Sequence, residues 1–554
     1  MDNAGQSMGW HLTSTLLKAI ADIWLTASVH FDAFCANPRA YMTATKWWIK
    51  RRRVRARGQF APLLSQSRRA YLLWVLRREQ EGGLISGQME PSGSPVNVTL
   101  PIIALVDAGG HHPKAIAQTL ESLSTEGVSA LLIGTAESPI LNAAISRIDW
   151  DKAPWLLPII AGDRIGSGTA AAYRAVMNDP ATCIIYADDD VLVGRRRRKP
   201  YFKPDWNPEL FAHHDYLTGA CMVRATRSDL EAVAGSADWP VKLVARMVTQ
   251  AQPVHLRDML HHRRQRPAPR VPAQPLEIAG ALPPVSVIVP TRNRVDLLRT
   301  CLDGVVATDY PNVEVIVMDN DSDDPETLAY LAALDQVRHK VVRHSGVFNY
   351  SAINNAGLAE ARGRLLCLLN NDIEVTDPNW LAIMATQALR PEVGAVGARL
   401  LYPDGCIQHA GVVIGVGNAA GHAHRFLRPD DEGYFHRHNL PQFTSAVTAA
   451  CLVVERKKFL AVGGLNERDF AVAFNDVDLC LRLNQRGWQS FYEPRATLIH
   501  HESVSRGLDR DPVGAARFAG ELAALKRIWK TDEIFDPYHH PNLSRASEQF
   551  AVAL

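Results

Sequence analysis

The chain has 554 residues, which is too long for one compact core and predicts two or three domains. Hydrophobic residues make up 47% of it and charged residues 21%, as in ordinary soluble globular proteins. The formal net charge of +2 argues against a surface built to bind a polyanion, so we expect no nucleic-acid partner.

Eight cysteines are scattered without a CxxC pair, which argues against a zinc ribbon or a disulfide framework and favours a cytoplasmic protein. No apolar run of about 18 residues is present, so we expect no transmembrane helix. The first residues lack a basic segment followed by an apolar one, and we therefore expect no secretory signal.

The N-terminal region combines helical apolar spacing with a basic cluster. The spacing runs from about Gly9 to Phe34, and Trp47-Trp48-Ile49 then leads into Lys50-Arg51-Arg52-Arg53. Aromatic residues beside cations are typical of a helix lying on an anionic membrane leaflet. The alternative is a solvated basic face on a helix that packs against a domain. Peripheral contact with the cytoplasmic face of the inner membrane is therefore a hypothesis at this point.

Two α/β patterns follow. The first half shows these strands and one helix in chain order: strand Leu100–Val106, helix His112–Ser124, strand Val128–Ile133, and strand Cys183–Tyr186 ending on Asp188-Asp189-Asp190. Proline, arginine and histidine dominate Pro253–Ala281, which predicts a linker. The second half continues with strand Val285–Val289, helix Val295–Val306, strand Val313–Met318, helix Glu326–Leu334, strand Val341–Arg343, helix Ser351–Ala361 and strand Leu365–Leu369. This alternation predicts a mostly parallel sheet covered on both faces, with its strand ends at one edge.

The strand Leu365–Leu369 ends on Asn370-Asn371-Asp372. Ligands bind at the carboxyl edge of such sheets. A carboxylate there, among oxygen-bearing neighbours, suits Mg²⁺ or Mn²⁺ bridging a diphosphate. The alternative is an ordinary polar exit from a buried strand.

Two other strands end on polar residues at the same predicted edge. Val285–Val289 breaks at Pro290 into Thr291-Arg292-Asn293, and neither the dinucleotide-binding glycine pattern nor the Walker pattern is present. A nucleotide would then be held by side chains and loop backbone. Asp319 could accept hydrogen bonds from a base or a ribose, or it could simply form a turn with Asn320.

Two later segments carry candidate catalytic groups. Asp476 would lie in the first turn of a helix starting near Asn475, where it could act as a general base or merely interact with the helix dipole. His500-His501 ends a strand that leads into a loop with Arg506. A neutral imidazole suits Mn²⁺, and an arginine suits a diphosphate.

Together these motifs resemble an inverting family-2 glycosyltransferase with a GT-A fold, closest to bacterial enzymes of O-antigen, rhamnan and other surface polysaccharides. The resemblance is carried, in family order, by VSVIVPTRNR, EVIVMDNDSDD, FNYSAINNAGLAEARGRLLCLLNND, IQHAGVVIG, FAVAFNDVDLCLRL and HHESVSRG, and it continues into DPYHHPNLS. Any one of these motifs is weak evidence, whereas six in order over about 220 residues are strong evidence.

The resemblance implies roles for individual residues. Asp476 would be the catalytic base, and the metal, Mg²⁺ or Mn²⁺, would be held by Asp372 and by His500 in preference to His501. The nucleotide-sugar would be bound by Pro290, Thr291, Asn293, Asp319, Asn354, Gly363, Asn371 and Arg506, with Asn354 and the Gly363 turn on the diphosphate side. Two positions depart from the family. The triplet reads Asn-Asn-Asp instead of Asp-x-Asp, and Asn475-Asp476 replaces the more frequent Glu-Asp.

Residues Leu100–Arg266 resemble a degraded copy of the same domain. We expect the strand that should precede the metal ligand to be deleted, since the chain runs from Gly166 through Ala172 into Asn178-Asp179. The implied organisation is a helical basic region (1–95), a degenerate non-catalytic GT-A-like domain (96–266), a linker (267–283), a catalytic domain (284–510) and a helical extension (511–554). The alternative makes Asp188–Asp190 a second metal site in a bifunctional enzyme.

The sequence therefore predicts the α/β class with a GT-A, Rossmann-like, mostly parallel sheet, a second degenerate GT-A-like domain and a helical N-terminal region. The implied function is metal-dependent, inverting transfer from a nucleotide-diphospho-sugar, with dTDP-rhamnose or a UDP-sugar as donor, to an oligosaccharide or lipid-linked glycan. The alternatives are a non-catalytic carbohydrate-binding scaffold and a nucleotidyltransferase, although the latter would need a glycine-rich triphosphate loop that is not found.

Overall fold

The computed structural model describes residues 3–80, 100–136, 140–194, 196–272, 278, 280–501 and 512–554, with side chains described from residue 17 onward, except at residues 79–80. Four helices open the chain: α1 (Asn3–Ala36), α2 (Pro38–Ile49), α3 (Arg53–Ser65) and α4 (Ala70–Gln80). Asn37 follows α1 and caps α2, because its side chain accepts the Ala40 N–H. Pro38 suits the first position of α2, since proline has no backbone N–H that would need an acceptor there. No helix in the described part of the chain is long and apolar enough to cross a bilayer.

The first sheet contains eight strands in the order β2-β1-β3-β7-β5-β8-β4, with β6 paired to β5. Its elements are β1 (Ile102–Asp107), α5 (Pro113–Thr125), β2 (Ser129–Ile133), α6 (Leu141–Ile145), β3 (Trp155–Ile160), β4 (Arg164–Ile165), α7 (Thr169–Val176), β5 (Ile184–Val193), β6 (Arg196–Tyr201), α8 (Pro208–His213), β7 (Cys221–Val223), α9 (Arg227–Glu231), α10 (Trp239–Met247) and β8 (Val254–Arg263). Strand β8 lies inside the segment predicted as the linker Pro253–Ala281, so that prediction is wrong for its first part.

The second sheet contains ten strands in the order β11-β10-β9-β12-β19-β14-β20-β13, with β15 on β14 and β18 on β20. Its half of the chain contains β9 (Val285–Thr291), α11 (Val295–Val306), β10 (Val313–Asp319), α12 (Pro325–Ala333), β11 (His339–Arg343), α13 (Tyr350–Glu360), β12 (Leu365–Leu369), β13 (Ile373–Val375), α14 (Trp380–Ala388), β14 (Val393–Leu401), β15 (Ile407–His409), β16 (Val412–Ile414), β17 (Ala420–His422), β18 (Gln442–Thr444), β19 (Cys451–Glu455), α15 (Arg456–Ala461), α16 (Asn475–Gln485), β20 (Gln489–His500) and α17 (Pro512–Trp529). Strands β9 to β12 and their helices end within two residues of the predicted bounds.

The two sheets share one plan. With β11 and β16–β18 set aside, β9, β10, β12, β13, β14, β15, β19 and β20 take the same spatial order as β1 to β8. The parallel and antiparallel pairings also agree, for example β3 antiparallel to β7 and β12 antiparallel to β19. Each half of the chain therefore contains the same eight-stranded arrangement.

This correspondence corrects one prediction. Strand β3, Trp155–Ile160, occupies the place of Leu365–Leu369, so the strand thought to be deleted from the first half is present. Its exit, Ala161-Gly162-Asp163, stands where Asn370-Asn371-Asp372 stands in the second half. Pro158 interrupts the apolar run, and proline is unusual inside a sheet, which hid the strand in the sequence. Asp188–Asp190 lie within β5, the counterpart of β14, and not beyond a strand end.

Two apolar clusters contain residues of both halves. Leu440, from the second half, is buried in the core of the first sheet. The side chain of Asn207 donates to the Phe443 carbonyl at 2.9 Å and accepts from the Phe443 N–H at 3.2 Å. After α17, Asp536 accepts the Ile414 N–H at 2.7 Å. The adjacent Pro537 carbonyl accepts the Asp205 N–H at 2.8 Å, so the C-terminal segment binds both halves.

Candidate active site at the carboxyl edge of the second sheet

Three strand ends meet at the predicted edge. Thr291 and Asp319 are register partners of the parallel pair β9 and β10, and β12 flanks β9 on its other side. Asn371, just beyond β12, donates from its side-chain nitrogen to Thr291 Oγ1 at 3.1 Å. Pro290 is buried beside Thr291 within β9. Parallel pairing thus brings four predicted site residues from distant parts of the sequence to one place.

Asn293 and Asp319 brace the two loops that leave β9 and β10. Asn293 adopts a left-handed backbone with φ of 54°, and its side-chain oxygen accepts the N–H groups of Asp323 and Asp324 at 3.0 and 3.1 Å. Asp319 is buried and accepts the Ser322 N–H at 3.0 Å. One oxygen of Asp319 therefore forms the turn, as the alternative interpretation of this residue expected.

The predicted metal ligands lie side by side. Asp372 Oδ1 is 3.1 Å from His500 Nε2, and both residues are buried. His500 Nδ1 lies 2.7 Å from the side-chain oxygen of Gln408, which can only accept, so the ring proton is on Nδ1. When the ring is neutral, its Nε2 lone pair faces the Asp372 carboxylate. Two such lone pairs repel each other unless a proton or a cation lies between them, so the pair suits a divalent metal.

His501 points elsewhere, as the alternation of side chains along a strand requires. Its Nε2 lies 2.8 Å from Glu374 Oε2, and its backbone N–H donates to the Asp372 carbonyl at 3.0 Å. The structure thus places the side chain of His500, and not that of His501, beside the Asp372 carboxylate.

Asp476 lies in the first turn of α16 and is held by backbone donors. Its carboxylate accepts the Ala449 N–H at 3.1 Å and the Val477 N–H at 2.8 Å. The neighbouring Ala450 carbonyl accepts the Asn370 N–H at 2.9 Å, which links this segment to the end of β12. Burial raises the pKa of Asp476 above its usual value, although the backbone donors oppose the shift. A carboxylate with a raised pKa is a better proton acceptor than an exposed one.

Three predicted residues lie away from this cluster or outside the described residues. Asn354 is buried in α13, and its side-chain nitrogen donates to the Tyr350 carbonyl one turn earlier at 2.8 Å. Gly363 precedes β12, where its N–H donates to Ser286 Oγ at 2.8 Å near the start of β9. It therefore lies at the amino edge, opposite the metal pair, and its predicted place on the diphosphate side is wrong. Arg506 falls in residues 502–511, outside the described residues.

Sequence reasoning missed Gln408, which is buried in β15 and sets the proton position of His500. The residue stands in the IQHAGVVIG motif, but its role depends on β15 and β20 both lying against β14. The available signal in the sequence was its place between Ile407 and His409 in that motif.

The corresponding nucleoside position in the first half is closed. The register pair Asp107–Ile133 of the first sheet corresponds to the pair Thr291–Asp319 of the second. The apolar Ile133 therefore stands where the second sheet has the Asp319 carboxylate. Gly109 packs on Gly134 so closely that a Cβ on Gly134 would lie 2.6 Å from the Gly109 Cα. The backbone of Gly109 therefore leaves no room for a side chain at residue 134.

The corresponding metal position is covered by arginines. Asp163, the counterpart of Asp372, accepts the Arg264 N–H at 2.7 Å and lies 3.8 Å from the Arg263 guanidinium. The Arg264 side chain lies over Gly162, where an added Cβ would be 2.3 Å from the arginine Cδ. Burial raises the pKa of Asp163 to about 6, although Arg263 and the Arg264 N–H oppose it.

The aspartate triplet of β5 is also neutralised. Asp189 pairs with Lys203 at 2.8 Å and with Arg266, while Asp190 contacts Arg197 at 2.5 Å and His262 at 2.8 Å. Burial works against ionisation of Asp189, but these cations hold its pKa below the usual value. Buried carboxylates already paired with cations are poor ligands for a nucleotide-bound metal.

Asp188 belongs to a further cluster with His255 and His540, whose ligand atoms lie within 4.8 Å of one another. By distance alone this group could hold a metal ion. However, His540 Nδ1 accepts the Asn542 N–H at 3.0 Å, which puts the proton of the neutral ring on Nε2, 2.9 Å from Asp188. His255 lies 3.0 Å from both Asp188 and Asp205, and despite burial these carboxylates raise its pKa. The protons favour an ion-pair network here.

Comparisons with known proteins agree with the geometry of the second sheet. Residues 286–446 match the family model described as Glycosyl transferase family 2. The chain is 36% identical over 417 residues to the O-antigen biosynthesis protein RfbC of Myxococcus xanthus, covering 67% of this chain and 32% of that protein. It is 29% identical over 225 residues to the N-acetylglucosaminyl-diphospho-decaprenol L-rhamnosyltransferase of Mycobacterium tuberculosis. That match covers 37% of this chain and 71% of the other protein.

Among solved structures, a mannosyltransferase from Pyrobaculum calidifontis in complex with GDP-Man and Mn²⁺ is 20% identical, with a TM-score of 0.35, and the match covers 49% of this chain and 71% of that one. The chain spans less than half the length of the curated relatives that match most of it. The predicted α/β fold class, with two sheet domains and a helical N-terminal region, is confirmed by the family match and the two equivalent sheets.

Proposed function

Because the chain carries a domain of glycosyltransferase family 2, we propose that this domain moves a sugar from a nucleotide-diphospho-sugar to an acceptor hydroxyl with inversion. Catalysis is assigned to residues 284–510, after a linker at 267–283 and before a C-terminal extension at 511–554. One observation carries the proposal. The Asp372–His500 pair, in which Gln408 accepts the His500 Nδ1 proton, lies at the same sheet edge as the segment that is hydrogen-bonded to Asp476.

The donor atoms of this pair fit a divalent ion. Asp372 supplies carboxylate oxygens, and neutral His500 supplies Nε2, a set that suits Mn²⁺ better than Mg²⁺ because magnesium prefers oxygen alone. When bound, the ion would stabilise the negative charge that develops on the leaving diphosphate. Asn371 and Thr291, which are hydrogen-bonded to each other, would line the donor side, and Arg506 is proposed to contact the diphosphate.

Asp476 is proposed to accept the proton of the acceptor hydroxyl. The acceptor oxygen then bonds to the anomeric carbon, while the bond from that carbon to the diphosphate oxygen breaks and its electron pair leaves with the nucleoside diphosphate. Attack opposite to the departing group inverts the anomeric centre. The N–H groups of Ala449 and Val477 hold the carboxylate in place, and burial raises its pKa toward that of an effective base.

The substrate class is proposed from the names of relatives. One is named for O-antigen biosynthesis, and another for transfer of L-rhamnose to a decaprenol-linked diphosphate sugar. These names support a lipid-linked glycan or growing surface polysaccharide as acceptor and rhamnose as one candidate sugar. For the donor we propose dTDP-rhamnose or a UDP-sugar. The reaction would then take place on the cytoplasmic face of the inner membrane.

We further propose that residues 96–266 form a non-catalytic domain and that residues 1–95 form a helical basic region. Ile133 in place of Asp319, the Gly109–Gly134 contact and the arginines over Asp163 all support this. The pairing of Asp189 and Asp190 with cations argues against the bifunctional alternative.

The experiment is donor turnover by the purified protein with a panel of nucleotide sugars, in Mn²⁺, in Mg²⁺ or in chelator. We expect metal-dependent release of nucleoside diphosphate from one donor, lost in Asp372→Ala and His500→Ala but kept in His501→Ala. The two histidine variants form a matched pair, since the residues are adjacent and only His500 faces Asp372. Donor binding by calorimetry accompanies the assay. No binding of any donor would instead favour a carbohydrate-binding scaffold, and release of pyrophosphate would favour a nucleotidyltransferase.

A further inference from the structure

We propose that the N-terminal helices form a docking surface for a bilayer that carries anionic phospholipids. The surface has two parts. The apolar stripe consists of exposed side chains on α1: Leu17, Ile20, Ile23, Trp24, Phe31 and Phe34. The basic cluster consists of exposed side chains around the α2–α3 junction: Lys50, Arg51, Arg52, Arg53, Arg55 and Arg57.

The apolar stripe is on the side of α1 that faces away from the protein. On the opposite side, Leu25 and Val29 are buried against Leu73 of α4, and Ala33 is also buried. From residue 17 to residue 34, Lys18 is the one exposed α1 side chain that is not apolar. Ile23 and Phe31 are 70% and 66% exposed, far more than a residue packed in a protein core. A helix that is apolar on its inner and outer faces needs a second apolar environment.

The acidic residues of α1 are turned inward and neutralised. Asp22 pairs with Arg77 at 2.8 Å, and Asp32 pairs with Arg69 at 2.7 Å. Residues 33–78 contain twelve lysines and arginines and no aspartate or glutamate, in a chain whose net charge is only +2. The positive charge is therefore concentrated in the N-terminal helices, which an anionic surface complements.

Tryptophans at the α2–α3 junction have the surroundings of membrane-interface anchors. The Arg53 guanidinium lies 3.8 Å from the centre of the Trp48 ring, and that of Arg55 lies 4.5 Å from the centre of the Trp47 ring. Trp48 is 46% exposed, and Ile49 beside it is 74% exposed. Amphipathic rings next to cations sit at the level of lipid headgroups, with apolar neighbours inserted below them.

A basic cavity of about 900 Å³ opens next to the apolar stripe, with Trp24 and Leu72 in its wall. Arg68, Arg196 and Arg198 also line it, and none of these three makes an ion pair within the described part of the chain. Phosphate groups at a bilayer surface would neutralise these guanidinium groups, since arginine binds phosphate oxygens in a fork geometry.

Sedimentation of the full chain with vesicles tests the proposal. We expect binding to vesicles of phosphatidylcholine mixed with phosphatidylglycerol, weak binding to phosphatidylcholine alone, and weaker binding at high salt. Arg51→Gln/Arg52→Gln/Arg53→Gln should weaken binding on the order of 100-fold, at roughly fivefold per residue. The matched control is Arg338→Gln/Arg468→Gln/Arg486→Gln, three exposed arginines of the second half, which should bind as wild type.

The apolar stripe is tested with Ile23→Ser/Phe31→Ser, against Val337→Ser/Val347→Ser, which changes two exposed residues of the second half. We expect the first variant, and not the second, to lose binding. The proposal is overturned if wild type does not bind the anionic vesicles, or if Ile23→Ser/Phe31→Ser converts a dimer to a monomer without changing vesicle binding, because a second copy of the chain would then cover the stripe. The Asp372→Ala protein should bind vesicles normally, so failure here is distinguishable from failure of the catalytic proposal.

Discussion

Gln408 provides the most specific test of the proposed metal site, because its side chain is hydrogen-bonded to His500 and would act through that residue. Its side-chain oxygen accepts the His500 Nδ1 proton at 2.7 Å, and both residues are buried. In Gln408→Leu the ring loses its acceptor, so the tautomer with the proton on Nε2 becomes accessible. That tautomer cannot bind a metal through Nε2. Loss of such a partner costs roughly 10- to 100-fold in metal affinity, or about 1.4–2.7 kcal/mol.

The assay is nucleoside diphosphate release as a function of Mn²⁺ concentration at saturating donor. We expect the Mn²⁺ concentration for half-maximal rate to rise by roughly 10- to 100-fold in Gln408→Leu, with a smaller change in the rate at saturating metal. Gln408→Glu is the matched control, since a carboxylate still accepts the Nδ1 proton and should keep the affinity near or above that of wild type. Thermal unfolding in chelator checks that both variants fold.

An unchanged Mn²⁺ dependence in folded Gln408→Leu would refute the reasoning, because the Nδ1 proton would then have no bearing on the site. Equal losses in the leucine and glutamate variants would also refute it, because they would indicate a packing defect without a tautomer effect.

Three further predictions concern Asp476, Gly134 and Asp163. Asp476→Asn should lower kcat/KM by roughly 10²–10⁴-fold and abolish the acid limb of its pH profile. Wild type should show that limb above pH 3.8, because burial raises the pKa of Asp476. A variant with the same acid limb would exclude Asp476 as the base. Gly134→Ala should lower the unfolding midpoint by the equivalent of about 1–3 kcal/mol, because its Cβ would lie 2.6 Å from Gly109. Gly110→Ala is the control, since Gly110 shares the positive φ without the contact, and it should cost less. Equal midpoints for the two variants would contradict the close packing. Asp163 has a folded pKa of about 6 against 3.8 for the free group, so it binds its proton more tightly in the folded state and destabilises the fold as pH rises through that window. Asp163→Asn should therefore gain stability relative to wild type between pH 4 and 7, measured by urea unfolding. Parallel curves of stability against pH for the two proteins would contradict this.

The strands and helices of the second half could be predicted because local pattern and tertiary position agree there. Leu365–Leu369 is buried on both faces, and its apolar run stops where the strand stops. The first half was harder to predict. In Trp155–Ile160 a proline stands in the middle of the run, and the exit offers one carboxylate among small residues. The sequence pattern therefore missed a strand that the sheet order identifies at once.

The site residues differ in the same way. Thr291, Asp319 and Asp372 follow strand ends, so parallel pairing alone predicts their common edge. Gly363 was placed wrongly because a motif gives order along the chain but not the edge at which a turn lies. The difference between His500 and His501 depends on the register of β13 with β20, in which Ile373 pairs with His500. No local pattern contains that information, and the same holds for Gln408.

The shared core has a consequence for how this chain could change over evolutionary time. Leu440 fills the first core, Asn207 is hydrogen-bonded to Phe443 on both sides, and the C-terminal segment holds both halves. A duplicated domain that has lost its own chemistry is ordinarily free to be deleted. Under the proposal that the first half is non-catalytic, its deletion would still strip an apolar wall from the second half, so selection on folding would be enough to retain it. Its surface can diverge freely while its contacts with the other copy cannot.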